Sequence, residues 1–342
     1  MAPDDRSRRR GRMGGALRAL SAWCRGRAGV VVLCASATVL AVLAWTAGAR
    51  SAGDAAPATR IQAYAEGLRA EDTPGPEAVE AWLDAARRAL DSPVAVALPF
   101  DGNGWMSGSE LAAVAYRFPL REGQVVEASV SAPSAVRYFV ELFRVPADTA
   151  AEALFVAEAD SLDGALAHES RADGDYVLRI VPEPYGGGRY SVEIARRAAL
   201  PFPVARRGPS SIVSRYGAPR DGGRRDHEGV DIIAPRGTPV LAVTRALVHR
   251  VGRSENGGNY VWLQDWTRRK NIYYAHLERS WVDVGMVVEP GDGIGTVGTT
   301  GNASGPHLHF AIYDLDRRSS DPVPYIAPPE AVRVADAKVV EP

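Results

Sequence analysis

The chain has 342 residues, of which 46% are hydrophobic, and a formal net charge of −1 at pH 7. This length exceeds one typical domain, and the hydrophobic content suffices for more than one packed core. The near-zero charge excludes a protein that attracts nucleic acid or another polyanion through its overall charge. Its partners must therefore be recognised at local sites.

Residues 1–27 form a basic arm, with eight arginines against Asp4 and Asp5. The apolar segment 28–49 follows, and the first charged residue after it is Arg50. As a helix this segment would be roughly 33 Å long, which is enough to cross the hydrocarbon core of a membrane. The arginines before it predict a cytoplasmic N-terminus, with everything after the segment in the periplasm or outside the cell.

A cleaved signal peptide is the alternative, because Ala47-Gly48-Ala49 has the form of a processing site. The apolar run is longer than the usual signal-peptide core and the basic arm is long, which favours an uncleaved membrane anchor. The alternative would give a protein that is secreted after cleavage near Ala49. Cys24 and Cys34 lie beside or within the segment, so the exported part has no disulfide framework.

Residues 50–93 read as a small polar linker and two short amphipathic helices. Apolar residues recur at helical spacing on both sides of the break at Thr73-Pro74-Gly75-Pro76. We expect these helices to pack against the domain that follows.

Over residues 94–198 the sequence pattern changes to short strand-like segments with turn residues between them. This pattern predicts an antiparallel β-sandwich. The predicted strands are 125–130, 136–143, 176–181 and 190–194. The phrases YRFPLREGQVVEASV, DGDYVLRIVPEP and GRYSVEI resemble the pre-peptidase C-terminal domains of secreted bacterial proteases. No catalytic constellation is evident here, so a spacer or wall-binding module is expected.

Residues 199–328 form the last predicted domain, which begins with the Pro-rich connection 199–209 and is followed by a tail, 329–342. Its predicted strands are 239–243, 246–252, 259–266, 271–277, 293–298 and 307–314. The predicted fold class is therefore mainly β: a transmembrane helix, a short helical segment, a β-sandwich-like domain and a C-terminal antiparallel β-sheet domain.

Four of the six histidines lie in three phrases of this last domain, DHEGVD, YYAHL and GPHLHF. His307 and His309 are two residues apart, so a strand places both side chains on one face. His227 and Asp231 would likewise share a face of an extended segment. A single histidine in a strand is more often a surface or packed residue, which is how we interpret His168 and His249.

The cluster instead predicts a metal site. Two imidazoles and one carboxylate are a zinc set with one position left open for water, as in catalytic rather than structural sites. The helical H-E-x-x-H motif of other zinc peptidases is absent from the sequence.

The phrases DHEGVDIIAPRGTPVLA, NYVWLQD, NIYYAHLE and VEPGDGIGTVGTTGNASGPHLHFAIY resemble the M23 metallopeptidase family of lysostaphin and LytM, over about residues 214–322. The resemblance implies one Zn²⁺ per chain, with His227, Asp231 and His309 as its ligands. It implies that His276 and His307 are the catalytic histidines. It also implies a groove often lined by residues such as Arg220, Arg224 and Arg225.

The resemblance implies an exported zinc metalloendopeptidase that hydrolyses peptide bonds in peptidoglycan stems or cross-bridges by metal-activated water. The alternative is a catalytically silent regulator that binds cell wall or activates an amidase. The expected partners are peptidoglycan, the membrane through the N-terminal helix and other cell-wall enzymes, with no role for nucleic acid.

Overall fold

The computed structural model describes residues 59–132, 136–148, 151–159 and 165–327. The predicted basic arm, the predicted membrane anchor 28–49 and the tail 329–342 lie outside these residues. Within the described ranges, no helix is long and apolar enough to cross a membrane. The described residues from Arg60 onward form one compact unit.

The described helices are α1 Arg60–Glu71, α2 Pro76–Asp91 and the short α3 Val323–Ile326. The strands up to residue 198 are β1 Val94–Ala95, β2 Phe100–Met106, β3 Val114–Leu120, β4 Gln124–Ser131, β5 Tyr138–Arg144, β6 Leu154–Glu158, β7 Leu166–Glu169, β8 Gly174–Pro182 and β9 Gly188–Ala198. The later strands are β10 Ile212–Ser214, β11 Pro219–Arg220, β12 Arg225–Asp226, β13 Val230–Ile233, β14 Pro239–Leu241, β15 Ala246–Ser254, β16 Gly258–Asp265, β17 Lys270–Ser280, β18 Val287–Val288, β19 Gly293–Val297, β20 His307–Asp314 and β21 Ser319–Ser320. The mainly β fold class is thus confirmed.

The two predicted helices are confirmed, and they end and begin at the predicted Pro-Gly break. They pack on the outer face of β5 and β8, where Phe139 and Val181 join the apolar faces of α1 and α2. Trp82 is fully buried there, and its Nε1–H donates to the carbonyl oxygen of Pro182 at 2.8 Å. The buried Arg179 reaches from β8 to the carbonyl oxygen of Ala86 at 3.1 Å. The helices therefore dock on the sheet through both apolar and polar contacts.

Strands β1 to β9 form two sheets, ordered β1-β3-β8-β5-β6 and β2-β9-β4-β7, which enclose one shared hydrophobic cluster. This arrangement matches the predicted sandwich, except that β1 pairs parallel to β3. Strand β2 was not predicted, since its sequence FDGNGWM contains two glycines and few typical strand residues. At Gly104 the structure shows why glycine is needed, because a Cβ there would lie 2.2 Å from the Tyr190 ring.

The sandwich contacts the C-terminal part of the chain directly. A Cβ on Gly123, whose φ is +84°, would lie 2.3 Å from the ring of the buried Tyr325. Ion pairs cross the same boundary as well: Arg268 with Glu169 at 2.8 Å, Lys270 with Glu122 at 2.7 Å and Arg121 with Asp321 at 3.1 Å. The predicted boundary between residues 198 and 199 therefore separates two parts that pack on each other.

The C-terminal sheet has the strand order β10-β13-β20-β17-β16-β15-β18, with β14, β19 and β21 attached at its margins. One face packs on a large apolar cluster that includes Val230, Leu308, Phe310 and Tyr274. Because side chains alternate along a strand, residues such as His307 and His309 project from the opposite face. That face carries the candidate site.

Candidate metal centre

Three neighbouring strands bring the predicted ligands together. In the antiparallel pairing of β13 with β20, Asp231 lies opposite His309. On the other side of β20, His309 lies opposite Ala275 of β17. Directly opposed residues project to the same face of a sheet. The small Ala275 side chain leaves room beside the His309 ring.

Three donor atoms converge at this point. His227 Nε2 lies 3.1 Å from Asp231 Oδ1 and 3.0 Å from His309 Nδ1, and His309 Nδ1 lies 3.2 Å from Asp231 Oδ1. Ligand atoms bound to a tetrahedral zinc ion at about 2.0 Å are about 3.3 Å apart. Two imidazole nitrogens and one carboxylate oxygen at these separations fit a zinc ion.

The backbone orients His227. Its Nδ1 lies 2.9 Å from the carbonyl oxygen of Arg215, and because a carbonyl can only accept, Nδ1 carries the proton. The Nε2 lone pair therefore points at the Asp231 carboxylate. Two electron-rich atoms 3.1 Å apart repel each other unless a proton or a metal ion lies between them, so the pair requires positive charge at this point.

The Asp231 carboxylate is buried and ionised. Burial alone would raise its pKa, but hydrogen bonds and charge interactions with His227 and His309 outweigh burial and lower the pKa far below the usual range. Its second oxygen, Oδ2, accepts a hydrogen bond from Arg220 at 2.5 Å. The carboxylate is thus in its ligand form at neutral pH.

His227 and Asp231 do not lie on one continuous strand as expected. The chain bends at Glu228 and Gly229, and β13 begins only at Val230. A Cβ on Gly229 would lie 2.5 Å from the Phe310 carbonyl oxygen, so glycine lets the bend pass close over β20. The two side chains still converge, but through this bend.

His276 lies at an irregular point in β17. Its φ is +59°, and the pairing of β17 with β19 shifts register immediately after it. Such bulges re-aim side chains, and a positive φ is uncommon for a residue other than glycine. The bulge turns the His276 ring towards His307, with ring centroids 4.7 Å apart.

Hydrogen bonds select the protonated nitrogen of both predicted catalytic histidines. His276 Nδ1 lies 2.8 Å from the carbonyl oxygen of Thr300, and His307 Nδ1 lies 2.8 Å from that of Gly305. Each Nδ1–H therefore donates, and in the neutral ring the lone pair lies on Nε2. Burial lowers the pKa of His276 to about 4, despite the opposing hydrogen bond to Thr300, with nearby histidines adding to the decrease.

The Gly-rich loop before β20 supports this arrangement. Thr300 Oγ1 donates to the carbonyl oxygen of Leu277 at 2.8 Å and accepts from the Asn259 amide at 2.8 Å. A Cβ on Gly301, whose φ is +74°, would lie 2.2 Å from the Gly258 nitrogen. This glycine thus permits close approach to the chain's own backbone.

An open cavity of about 560 Å³ contains the site. All five predicted residues line it, together with Arg220, Arg225, Glu228, Tyr273 and Tyr313. Arg220 and Arg225 therefore lie where the resemblance implies, whereas Arg224 does not line this cavity. His168 and His249 lie outside the cavity lining, and His249 is exposed on β15.

Sequence reasoning did not identify the groups that hold the histidines. These groups are the backbone carbonyl oxygens of Arg215, Thr300 and Gly305. Every residue type has such a carbonyl, so the sequence does not distinguish them. The contact between Arg220 and Asp231 depends on the hairpin of β11 and β12, whose strands have two residues each. In the sequence, only the arginines of this short segment indicated a contact of this kind.

Comparison with known proteins finds matches over the C-terminal part of the chain. Residues 225–322 match the sequence model of Peptidase family M23, which confirms the predicted resemblance over that segment. The peptidoglycan DD-endopeptidase ShyC of Vibrio cholerae is 37% identical over 126 residues, covering 36% of this chain and 28% of the relative. The L-Ala–D-Glu endopeptidase of Bacillus subtilis is 36% identical over 138 residues, covering 36% of this chain and 42% of the relative.

The chain thus spans less than half the length of these two relatives. Among solved structures, the catalytic domain of lysostaphin from Staphylococcus simulans is 34% identical. The similarity covers 32% of this chain and 87% of that domain, with a TM-score of 0.31.

Proposed function

We propose that this protein is an exported zinc metalloendopeptidase that hydrolyses peptide bonds in the stems or cross-bridges of bacterial peptidoglycan. The observation that carries the proposal is the convergence of His227 Nε2, Asp231 Oδ1 and His309 Nδ1 within an open cavity. Three protein ligands leave a position for water or substrate, as catalytic zinc sites do. The substrate class follows from the endopeptidase names of the two curated relatives.

The ligands and the cavity around them have different roles in the proposed reaction. The chemistry that a bound zinc ion supplies is polarisation of the scissile carbonyl and a lower pKa for the attacking water. His227, Asp231 and His309 would hold the ion with one negative charge and two neutral imidazoles. The open cavity, lined by both charged and aromatic side chains, is where the peptide substrate would bind.

His276 and His307 handle the protons. Because each donates its Nδ1–H to a backbone carbonyl, each presents a bare Nε2 that can accept a proton. With a pKa of about 4, His276 is neutral at pH 7 and starts the cycle able to accept. The pair would take the proton from water, stabilise the tetrahedral oxyanion and return a proton to the leaving amine.

The predicted membrane anchor indicates where the proposed enzyme would act. A helix at residues 28–49 would tether the enzyme with its C-terminal part outside the cytoplasm, within reach of the wall. The β-sandwich then serves as a spacer or wall-binding module between the tether and the site. The resemblance of the sandwich to pre-peptidase C-terminal domains stays a prediction.

Digestion of purified peptidoglycan by residues 60–342 tests the proposal. We expect soluble peptide fragments with new amino termini, seen by mass spectrometry. The activity should disappear with a chelator and return with Zn²⁺. Binding to peptidoglycan without any new amino terminus, with zinc bound, would instead favour the silent regulator.

A further inference from the structure

Asp231 is held from two sides. Its Oδ1 atom faces His227, His309 and, at 3.8 Å, His307. Its Oδ2 atom is held at 2.5 Å by Arg220 Nη2. The two oxygens of one carboxylate therefore have different partners, one set being the candidate ligands and the other a single guanidinium.

Arg220 is itself anchored. Its Nη2 also donates to Ser214 Oγ at 2.8 Å, and this hydroxyl lies 3.3 Å from His227 Nδ1. Ser214 is paired with Asp231 in the register of β10 and β13, so the anchor and the carboxylate lie side by side. Arg220 thus connects Asp231 and, through Ser214, His227.

We infer that Arg220 is a positioning residue for the metal centre, an inference that rests on the proposed function. It keeps Oδ2 occupied, so that Asp231 offers the ion one oxygen, Oδ1. A carboxylate without this partner can rotate about its terminal bond and must be ordered when metal binds. Partners that orient metal ligands typically change metal affinity or activity by about 10- to 100-fold when removed.

The positive charge of Arg220 has the opposite effect on metal binding, because it repels a cation. A neutral substitution would remove the repulsion and the orientation together. Lysine separates the two effects, since it keeps the charge but lacks the planar fork of donors. Arg220→Lys is therefore the informative variant.

The experiment measures zinc affinity of residues 60–342 by competition with a chromophoric chelator. We expect Arg220→Lys to bind Zn²⁺ at least about 10-fold more weakly than wild type, while the melting temperature of the metal-free protein stays unchanged. Arg224→Lys is the matched control. It lies on the same hairpin, where Arg224 Nε donates to the Asp221 carbonyl oxygen, and it should bind zinc as wild type does.

Ser214→Ala provides a second variant in case Arg220→Lys fails to fold. It removes the anchor with a small change in volume, and we expect a smaller loss of affinity. In the Arg220→Lys background, Ser214→Ala should cause little further loss, because the two residues act through the same contact. Zinc affinities within twofold of wild type for both single variants would overturn the inference. Failure of the wild type to bind zinc would instead overturn the proposed function.

Discussion

His276 Nδ1 lies 2.8 Å from the carbonyl oxygen of Thr300, which ties a histidine on β17 to the Gly-rich loop before β20. This contact holds the ring of a residue that has a positive φ and is only 9% exposed. Burial disfavours the charged imidazole more than the hydrogen bond favours it. His276 therefore links the stability of the site to pH.

The first prediction concerns how His276 makes the stability of the metal-free protein depend on pH. The pKa of His276 is about 4 in the folded state and 6.5 in a free side chain. Between these values the unfolded state binds more protons, so stability is full above pH 6.5 and is lost as the pH falls towards 4. In His276→Gln, the slope of unfolding free energy against pH in this window should fall by up to about 1 kcal/mol per pH unit.

Urea unfolding at several pH values between 4 and 7 measures both slopes. Burial also lowers the pKa of His309, but this contribution is present in both proteins and cancels in the comparison. Equal slopes for wild type and His276→Gln would contradict the assigned environment of His276.

The second prediction concerns the bend between two ligands. Gly229→Ala places a Cβ 2.5 Å from the Phe310 carbonyl oxygen and 2.9 Å from the Ala311 Cβ, so the backbone must shift. We expect a loss of about 1–3 kcal/mol in unfolding free energy and weaker zinc binding, because the bend sets the spacing of His227 and Asp231. Gly208→Ala is the control, since no atom lies within 4 Å of its added Cβ. If both variants match in stability and zinc affinity, the bend has no such role.

The third prediction concerns the contact between the two parts of the chain. Residues 199–328 contain all five site residues, so the isolated fragment should bind one zinc ion. It should also melt at a lower temperature than residues 60–342, because Tyr325 loses its packing on Gly123 and the buried Lys270 loses Glu122. Zinc titration and thermal melts test both statements. A fragment that melts cooperatively but binds no zinc would show that the boundary is drawn wrongly.

The fourth prediction concerns topology and rests on residues 1–49 alone. A reporter fused after residue 60 should be active outside the cytoplasm, and the full chain should fractionate with membranes. Soluble release of a protein whose N-terminus is Arg50 would establish the signal-peptide alternative instead.

Much of the fold was predictable, because the apolar periodicity of the helices and of strands such as β17 and β20 is strong. Among the described strands of the sandwich only β4, β5, β8 and β9 were predicted, and β13 was one of those missed in the C-terminal sheet. Strand β2 is rich in glycine, and β13 has only four residues after a bend. The clustering of the five site residues was also predictable from their phrases. Their orientation was not, because it depends on the bulge at His276 and on backbone carbonyls, which any residue type can supply.

A comparison of alanine variants of His307 and His309 is the most direct test of the proposed metal centre. Both lie on β20 with their side chains on one face, yet His309 contributes a converging donor atom and His307 does not. Damage to the strand would affect both alanine variants alike. A difference between them therefore reports their separate chemical roles.

The measurement is zinc content and peptidoglycan hydrolysis on the same samples of His307→Ala and His309→Ala, in residues 60–342. We expect His309→Ala to lose both zinc and activity, because one of three protein ligands is gone. His307→Ala should keep most of its zinc while turnover falls by about 10²-fold or more. If His307→Ala loses zinc and His309→Ala retains it, the assignment of ligand and catalytic histidine is reversed and the account is wrong.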